Sequence, residues 1–439
     1  MARRRHRINF LAALLLAVAG PAWAQTGDWI EVSRAGLRAA EEGRLHEAER
    51  SFRDALALSG EFAEDDPRHA TSINNLAYIL HAQGRYLAAE PHYLESLALR
   101  EAALGKDHPD VAQSCNNLAE LYRVLGRYDE ADALHRRALD IRERQFGPDH
   151  PQVAQTLNNL GVLYAIQERF IEAESLYRRA LEIRVASYGD DHLAVAETRN
   201  NLATLYYAQE RYDEARPLYE RALEVEREEL GPDHPSLATT LSNLAELHRV
   251  EERLDQAIEL HSQALAVREK ALGLNHPETA QSLNNLAVAR FINGDLEEAE
   301  QLYQRSIAIK EATLGREHPE LALTLNNLAE LYRMQRRFEE AERLFDRALA
   351  IDQKIVGPTH PSLALGLNNL ALLNFDRGAY VEAEELLRQA LTIEEQAYGP
   401  DDPKLITTLE NYAAVLRELR RLEDADQVYD RAKALRAEL

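Results

Sequence analysis

Cysteine is nearly absent from this chain. Only Cys115 occurs among 439 residues, which excludes an intramolecular disulfide and any zinc or iron–sulfur site built from cysteines. Basic residues are also scarce beside acidic ones, with 51 Lys and Arg against 74 Asp and Glu and a formal charge of −23. A body of that charge repels nucleic acid and anionic lipid, so we expect neither as a partner.

The usual catalytic motifs are missing too. The sequence contains no Gly-x-Ser-x-Gly, no His-Glu-x-x-His and no glycine-rich loop that would cradle a phosphate. We therefore predict a protein that is not an enzyme and that carries no cofactor.

A long apolar run occurs only at the start of the chain. Four arginines within residues 3–7 precede an apolar segment at 8–20, which is 13 residues long and too short to span a bilayer of ~30 Å. Residues 22–24 (Ala-Trp-Ala) follow as a small-x-small cleavage site. We expect residues 1–24 to be a signal peptide cleaved after Ala24. The mature chain should then be periplasmic or secreted in a bacterium, with no membrane insertion.

The rest of the sequence repeats every 42 residues. The dipeptide His-Pro, with a glycine three residues before it, returns at this interval, and His-Leu or Asp-Pro fills the remaining slots. A fixed period in this range is the signature of a solenoid, in which each repeat contacts only its neighbours. The predicted organisation is a signal peptide at 1–24, a first helix hairpin at 25–60 and nine repeats over 61–439. The His-Pro pairs begin at His108, His150, His234, His276, His318 and His360.

Each repeat is predicted to form two helices. Over residues 109–125 the apolar side chains, Leu118 among them, share one stripe when successive residues are placed 100° apart. Gly126 makes a tight turn, and a second helix with Asp129 as its N-cap runs to Gly147. Strand patterns are absent from the sequence, so the predicted fold class is all-α.

These residues resemble the tetratricopeptide repeat. The Gly-x-x-His-Pro and Asn-Asn-Leu-Ala elements, with the 42-residue period, are similar to the variant found in kinesin light chains, over about residues 29–439. The resemblance implies a right-handed α-solenoid of about ten antiparallel helix hairpins, whose first helices line a concave groove for a protein or peptide. The consensus spacing is matched in one repeat by Leu118-Ala119, Tyr122, Gly126, Tyr128, Ala131 and Ala138.

One repeat position is asparagine in all nine units, on the side of the first helix away from the apolar stripe. An amide has donors and an acceptor, so such a row can pair with the backbone of an extended peptide without reading its sequence. In the resembling family, asparagine here forms such a ladder in several peptide-binding arrays. The alternative is that each amide ties its hairpin to the next through a carbonyl, and both roles stay open. The residues are Asn75, Asn117, Asn159, Asn201, Asn243, Asn285, Asn327, Asn369 and Asn411.

Six residues after each asparagine the side chain varies between repeats. Arginine and aromatic residues are the types enriched in interface hot spots, so we predict that those at this position contact the partner. An ordinary surface ion pair is the alternative for three of the arginines, because a glutamate lies three residues before each of them. The predicted binding residues are Arg123, Tyr207, Arg249, Phe291, Arg333, Phe375 and Arg417, with His81 and Ala165 in the two remaining slots.

The loop histidines occur at most once in each repeat. Packed helices lie 8–10 Å apart, so equivalent histidines are too far apart to bind one zinc ion at ~2.1 Å. We predict that these histidines cap helices, as His108 would cap the helix that starts at Pro109, and that there is no metal site. Cys115 takes a position that leucine fills in other repeats, so we expect a buried thiol that acts as a small apolar residue.

Together these patterns predict an exported interaction module that binds an extended peptide or a protein partner in its groove. Two alternatives remain open at this stage. One is a structural scaffold within an envelope or secretion assembly, and the other is a regulatory subunit of a separate enzyme such as a peptidase.

Overall fold

Helices account for all the regular structure in the described part of the chain. The computed structural model describes residues 25–42, 44–63, 66–234 and 236–437, so the signal peptide predicted for 1–24 lies outside it. Within these ranges the chain forms twenty α-helices and no β-strand, and consecutive helices are in contact over residues 25–272 and over residues 296–437. This confirms the all-α fold of helix hairpins.

The twenty helices form ten hairpins, each with a first and a second helix. The first helices are α1 (Gln25–Glu41), α3 (Pro67–Ala82), α5 (Pro109–Val124), α7 (Pro151–Ile166), α9 (Leu193–Ala208), α11 (Leu237–Val250), α13 (Pro277–Asn293), α15 (Pro319–Met334), α17 (Leu363–Asp376) and α19 (Ile406–Glu418). The second helices are α2 (Leu45–Ser59), α4 (Tyr86–Leu104), α6 (Tyr128–Phe146), α8 (Phe170–Tyr188), α10 (Tyr212–Leu230), α12 (Leu254–Leu272), α14 (Leu296–Thr313), α16 (Phe338–Val356), α18 (Tyr380–Tyr398) and α20 (Leu422–Ala437).

The hairpins belong to two compact units, Met1–Ala289 and Arg290–Leu439. The described part of the first unit contains hairpins 1–6 and most of α13. The second unit contains the end of α13, then α14 and hairpins 8–10. Among the described helices, none is both long enough and apolar enough to cross a membrane.

The predicted histidine caps are confirmed. The ring nitrogen Nδ1 of His108 accepts a hydrogen bond from the backbone N–H of Asp110 at 3.1 Å, which satisfies one of the free donors at the start of α5. Proline in the first turn costs no further hydrogen bond there. The same hydrogen bond recurs at His150, His192, His276 and His318. It also forms at His234 and His360, where it closes a turn just before helices that start at Leu237 and Leu363.

The second helices start differently from the prediction. Helix α6 begins at Tyr128, its N-cap position is held by Arg127, and no side chain caps it. Asp129 as the N-cap is therefore wrong. Its carboxylate lies inside the first turn, where a negative charge still faces the positive end of the helix dipole.

One repeat position in the second helices is always a buried alanine. Ala131 is fully buried, and so are the equivalent alanines of the second helices from α4 to α20. A single methyl group lets two helices approach closely, and larger side chains such as Leu118 fill the space beside it. Cys115 is fully buried in this core, as predicted, and burial raises the pKa of its thiol to about 11.

A buried charged side chain joins one hairpin to the next. Arg142, near the end of α6, is 2% exposed and donates to the hydroxyl of Thr156 in α7 at 2.8 Å. A hydroxyl can also donate, so Glu226 can take the place of arginine, and there Thr240 is the donor at 3.1 Å. The other joints of this kind include Arg100–Ser114, Arg184–Thr198 and Arg268–Ser282 in the first unit and Lys310–Thr324 in the second.

A tyrosine, a carboxylate and an arginine form a second joint between neighbouring hairpins. The Tyr122 hydroxyl donates to Glu90 Oε1 of the preceding hairpin at 3.1 Å, and Arg127 Nη1 contacts the same oxygen at 2.6 Å. The Arg127 guanidinium also lies 3.9 Å from the centre of the Tyr122 ring, a cation–π contact. The two joints fix the register of each second helix against the first helix of the next hairpin. The whole motif repeats at Tyr206 and Tyr332, and at Tyr164 the hydroxyl bonds to Asp132 while Arg169 stacks on the ring.

Candidate protein-binding face

The exposed side of the first helices carries both rows of predicted binding residues, and we call it the first-helix face. Apolar side chains remain exposed on it. In the first unit Ile166 is 43% exposed, and in the second unit Leu323, Met334 and Leu365 are 53%, 61% and 65% exposed. This face therefore combines amides with accessible apolar groups.

The asparagine row bridges neighbouring hairpins. In the first unit Asn201 Nδ2 donates to Asn158 Oδ1 of the preceding hairpin at 2.9 Å, so the acceptor is a side-chain amide and not a backbone carbonyl. The geometry gives the row a structural role. Equivalent bonds join Asn117 to Asn74 at 2.9 Å and Asn243 to Asn200 at 3.0 Å in the first unit, and Asn411 to Asn368 at 3.1 Å in the second.

Several of these asparagines retain a free acceptor. Asn201, Asn243 and Asn411 use only their Nδ2 atoms, and all three are partly exposed. In two other repeats a glutamine one turn earlier occupies Oδ1, as Gln113 does for Asn117 at 2.9 Å. The row can therefore accept hydrogen bonds from a ligand where no glutamine intervenes. Asn75 is buried, and Asn159, Asn285, Asn327 and Asn369 are partly exposed.

In one repeat a buried histidine takes the place of the amide bridge. His135 is fully buried and its Nδ1 lies 2.8 Å from Asn116 Oδ1, the atom that Asn159 would otherwise reach. Its Nε2 lies 3.5 Å from Glu120 Oε1. Burial raises the pKa of Glu120, but its hydrogen bond to His135 and the charge of Arg123 outweigh that effect, and the net pKa is lowered.

The arginines of the variable row form the ion pairs that the sequence offered as the alternative. Arg123 lies 2.9 Å from Glu120, and Arg333 lies 2.7 Å from Glu330. Arg249 is bound in the same way, 2.6 Å from a glutamate on its own helix. These guanidinium groups are thus held by their own helices, and a ligand would share them with a glutamate.

The remaining residues of the variable row are less constrained by ion pairs. Tyr207 lies 3.5 Å from Arg249 Nη2, and the ring of Phe375 packs edge-on against Tyr380 with 5.4 Å between centres. Phe291 is partly buried. Arg417 stands apart, because its side chain is 47% exposed and its ion pair with Asp426 is 4.0 Å long.

The sequence did not predict a small apolar pocket on this face of the second unit. It has about 250 Å³ of empty space open to solvent. No motif marks this pocket in the sequence. It could have been found only by noticing that two of its side chains are smaller than the equivalent residues of other repeats. The lining residues are Ala371, Leu372, Phe375, Leu387, Asn411, Ala414 and Val415.

Among the described residues, no three His, Cys, Asp or Glu side chains are grouped so that they could hold a metal ion. The histidines that first suggested a metal site instead face the backbone of the helices they cap.

Comparison with known proteins identifies the repeat. A family model described as tetratricopeptide repeat matches seven overlapping segments that span residues 114–438, and a second model of that description matches 69–110. No curated protein matches the sequence.

Several solved structures are similar to this chain at low sequence identity. The Rap protein complexed with competence and sporulation factor is 16% identical, with a TM-score of 0.53 over 85% of this chain and 99% of that one. Aspartyl phosphate phosphatase F from Bacillus subtilis is 16% identical, with a TM-score of 0.50 over 78% and 98%. The nearly identical TPR-like repeats of a kinesin light chain-like protein from Podosopora anserina are 27% identical, with a TM-score of 0.39 over 47% and 98%.

The family repeat is in general a non-catalytic scaffold for protein–protein interaction. Its models cover well over half of the sequence, so this chain belongs to the tetratricopeptide repeat family.

Proposed function

We propose that this chain is an exported interaction module that holds an extended segment of a partner protein along its first-helix face. The observation that carries the proposal is the row of amide oxygens beside exposed apolar side chains. Asn201 and Asn243 in neighbouring hairpins both have a partly exposed Oδ1 that receives no hydrogen bond from the protein.

The spacing of the hairpins suits an extended backbone. Packed helices lie 8–10 Å apart, and a segment in polyproline II geometry rises 3.1 Å per residue and repeats every three residues. Every third N–H of such a segment therefore points to the same side at about 9 Å intervals. One N–H could then meet one asparagine in each hairpin, while exposed apolar residues contact the side chains between.

The complex of the Rap protein with competence and sporulation factor supports the capacity of this fold to hold a partner. The likeness to that protein concerns the fold, so it says nothing about which partner this chain binds.

The first-helix face is tested by comparing charge insertions on two faces. The variant I166E/L365E places carboxylates on the first-helix face, whereas I171E/V381E places them on second helices, where Ile171 and Val381 are 86% and 67% exposed. Partners captured by cross-linking from the native envelope should be lost with the first variant and kept with the second. Equal capture by both variants would contradict the proposal.

The export step rests on the signal pattern at 1–24. Mass spectrometry of the protein isolated from its native cells should find Gln25 as the first residue. A native protein that retains Met1 or Ala2 would contradict export by signal-peptide cleavage.

A further inference from the structure

The apolar pocket of the second unit lies between α17, α18 and α19. Leu372 and Phe375 of α17 form one wall, Leu387 of α18 forms the floor, and Ala414 of α19 forms the opposite wall. Leu387 is 1% exposed, so the floor is a core residue seen from the first-helix face. The pocket therefore opens into the surface where the partner segment is proposed to lie.

The pocket exists because two side chains are smaller than their equivalents. At the repeat position of Leu387 every other repeat from the second hairpin onward carries a ring, namely Tyr93, His135, Tyr177, Tyr219, His261, Tyr303, Phe345 and Tyr429. At the position of Ala414 the other repeats carry Tyr78, Glu120, Val162, Thr204, Glu246, Val288, Glu330 and Leu372. Leu387 and Ala414 line the same space. No other pair of neighbouring repeats has a side chain without a ring at the first position and an alanine at the second, so the sequence predicts this pocket nowhere else.

Ala414 has a second consequence for the charge beside the pocket. The other arginines of the variable row, such as Arg333, are held by a glutamate three residues earlier, and Ala414 occupies that position before Arg417. The Arg417 side chain is accordingly 47% exposed against 19% for Arg333, and its nearest carboxylate, Asp426, lies 4.0 Å away. Its guanidinium also lies 5.0 Å from the centre of the Tyr429 ring. One helical turn beyond the pocket there is thus a positive charge with little compensation.

Asn411 lies at the rim and sets the direction of hydrogen bonding. Its Nδ2 is engaged by Asn368 Oδ1 at 3.1 Å, so the atom left for a ligand is the acceptor Oδ1. An acceptor selects a main-chain N–H of the ligand over a carbonyl.

We propose that this pocket and Arg417 form a specificity site that takes an apolar side chain together with a neighbouring aspartate or glutamate of the bound segment. The apolar side chain fills the space above Leu387, Asn411 Oδ1 accepts a main-chain N–H, and the acidic side chain pairs with Arg417. This site rests on the proposed function, because it reads a segment that is already held on the first-helix face.

Two variants fill the pocket from opposite walls. The variant L387F restores a ring of the kind that the other repeats carry, and A414L introduces the residue found at the same position in the neighbouring hairpin. L387M is the matched control, because it keeps nearly the same volume. Melting temperatures of all three proteins show whether each variant remains folded.

The probe is a random peptide display library selected on the protein comprising residues 25–439. We expect enrichment of peptides with an apolar residue next to an acidic one, and a synthetic peptide of that kind should bind wild type and L387M equally. It should bind L387F and A414L about tenfold more weakly or worse, since filling a central pocket removes a main anchor. R417E should prefer the same peptide with lysine in place of the acidic residue.

The result that overturns the specificity site is distinct from the one that overturns the proposed function. Selected peptides that lose binding to I166E/L365E but bind L387F, A414L and wild type equally would leave the first-helix face in place and remove the pocket. Peptides that bind I166E/L365E as well as wild type would contradict the use of the first-helix face itself.

Discussion

At the scale of single residues, the asparagines have a stabilising role that can be separated from ligand binding. Each donated amide hydrogen satisfies an Oδ1 on a residue such as Asn158, which is 3% exposed. A buried acceptor left without a partner costs about 1–3 kcal/mol. The free Oδ1 of Asn201 contributes nothing to that bond and faces the side where a ligand would lie.

We expect the triple variant N117A/N201A/N243A to lose about 2–4 kcal/mol of unfolding free energy, because three bridging bonds disappear and alanine's better helix propensity offsets only part of the loss. Chemical denaturation measures the change. N159A is the matched control, since Asn159 forms no such bridge beside His135, and it should change stability by less than about 0.5 kcal/mol. A triple variant as stable as N159A would contradict the bridging role.

Buried carboxylates occupy some joints where other hairpins carry arginine. Glu226 is 8% exposed, its Oε2 has no hydrogen-bond partner, and burial raises its pKa to about 7 from the ordinary 4.5. Partial burial likewise raises the pKa of Asp352 to about 6. Asp352 shares this repeat position but makes no such joint, since the next hairpin carries Gly366 in place of the hydroxyl residue. Burying such a carboxyl group does not destabilise the folded protein while the group is protonated, but it does once the group is ionised.

The raised pKa of Glu226 predicts a stability that falls as pH rises. The group ionises near pH 4.5 in the unfolded chain and near 7 in the folded one, so stability is lost progressively from about pH 4.5 through about pH 7. Between about pH 5 and pH 8 the wild type should lose about 1–3 kcal/mol more than E226Q, which keeps the acceptor for Thr240. Thermal melts at a series of pH values measure this, with E228Q on the exposed side of α10 as control. Identical pH profiles for wild type and E226Q would refute it.

The burial of the charged residues at the repeat position of Arg142 could not be predicted from the sequence. Arg142 lies directly after Ile141 of the apolar stripe, and charged residues fill its position in successive repeats, so the periodicity was visible. Charge alone favours an exposed assignment, and only the structure shows that the hydroxyl of Thr156 accepts a hydrogen bond from the buried guanidinium. The pocket at Leu387 was missed for the opposite reason, because a leucine on an apolar stripe looks ordinary in any single repeat.

At the scale of secondary-structure elements, the helices and the starts of the first helices were predictable because local chemistry decides them. The His108-Pro109 pair is a cap followed by a residue suited to the first turn, and the structure confirms it. The start of α6 was not predictable from capping residues, because the turn is fixed by its backbone conformation. Gly126 there has a φ of 72°, in the left-handed region that suits glycine.

Three consecutive hairpins place glutamate at this turn position, with φ values of 59° at Glu168, 57° at Glu210 and 61° at Glu252. A residue other than glycine in the left-handed region destabilises the folded state by about 1–2 kcal/mol. Replacing it with glycine removes this strain, but glycine also loses more conformational entropy on folding, which cancels part of the gain. We expect E210G to stabilise the protein by up to about 1 kcal/mol and G126A to destabilise it by a similar amount. Denaturation midpoints measure both, and changes of the same sign in the two variants would contradict the argument.

At the scale of the whole molecule, a hairpin can form the same joint with a different neighbour if that neighbour carries the same residues at the joint positions. Removing residues 151–192 deletes hairpin 4 with its loop and brings hairpin 3 against hairpin 5. Arg142 then meets the hydroxyl of Thr198 instead of Thr156, as Arg184 does in the intact protein. Tyr206 meets the carboxylate of Asp132 in place of Glu174. The amide bridge of Asn201 is lost, because the acceptor it would meet, Asn116 Oδ1, is already bound to His135.

We therefore expect the protein lacking residues 151–192 to remain helical and to unfold cooperatively, at a lower temperature than the intact chain because one repeat and one interface are lost. Circular dichroism during a thermal melt measures both properties. Deleting 151–171 is the control, since it removes one helix, shifts the register and leaves Arg142 without its hydroxyl. If stability came from contacts between distant repeats instead, both deletions would abolish the cooperative transition, because each would break those contacts equally. If only the protein lacking residues 151–192 melts cooperatively, the free energy of unfolding comes mainly from contacts between neighbouring hairpins.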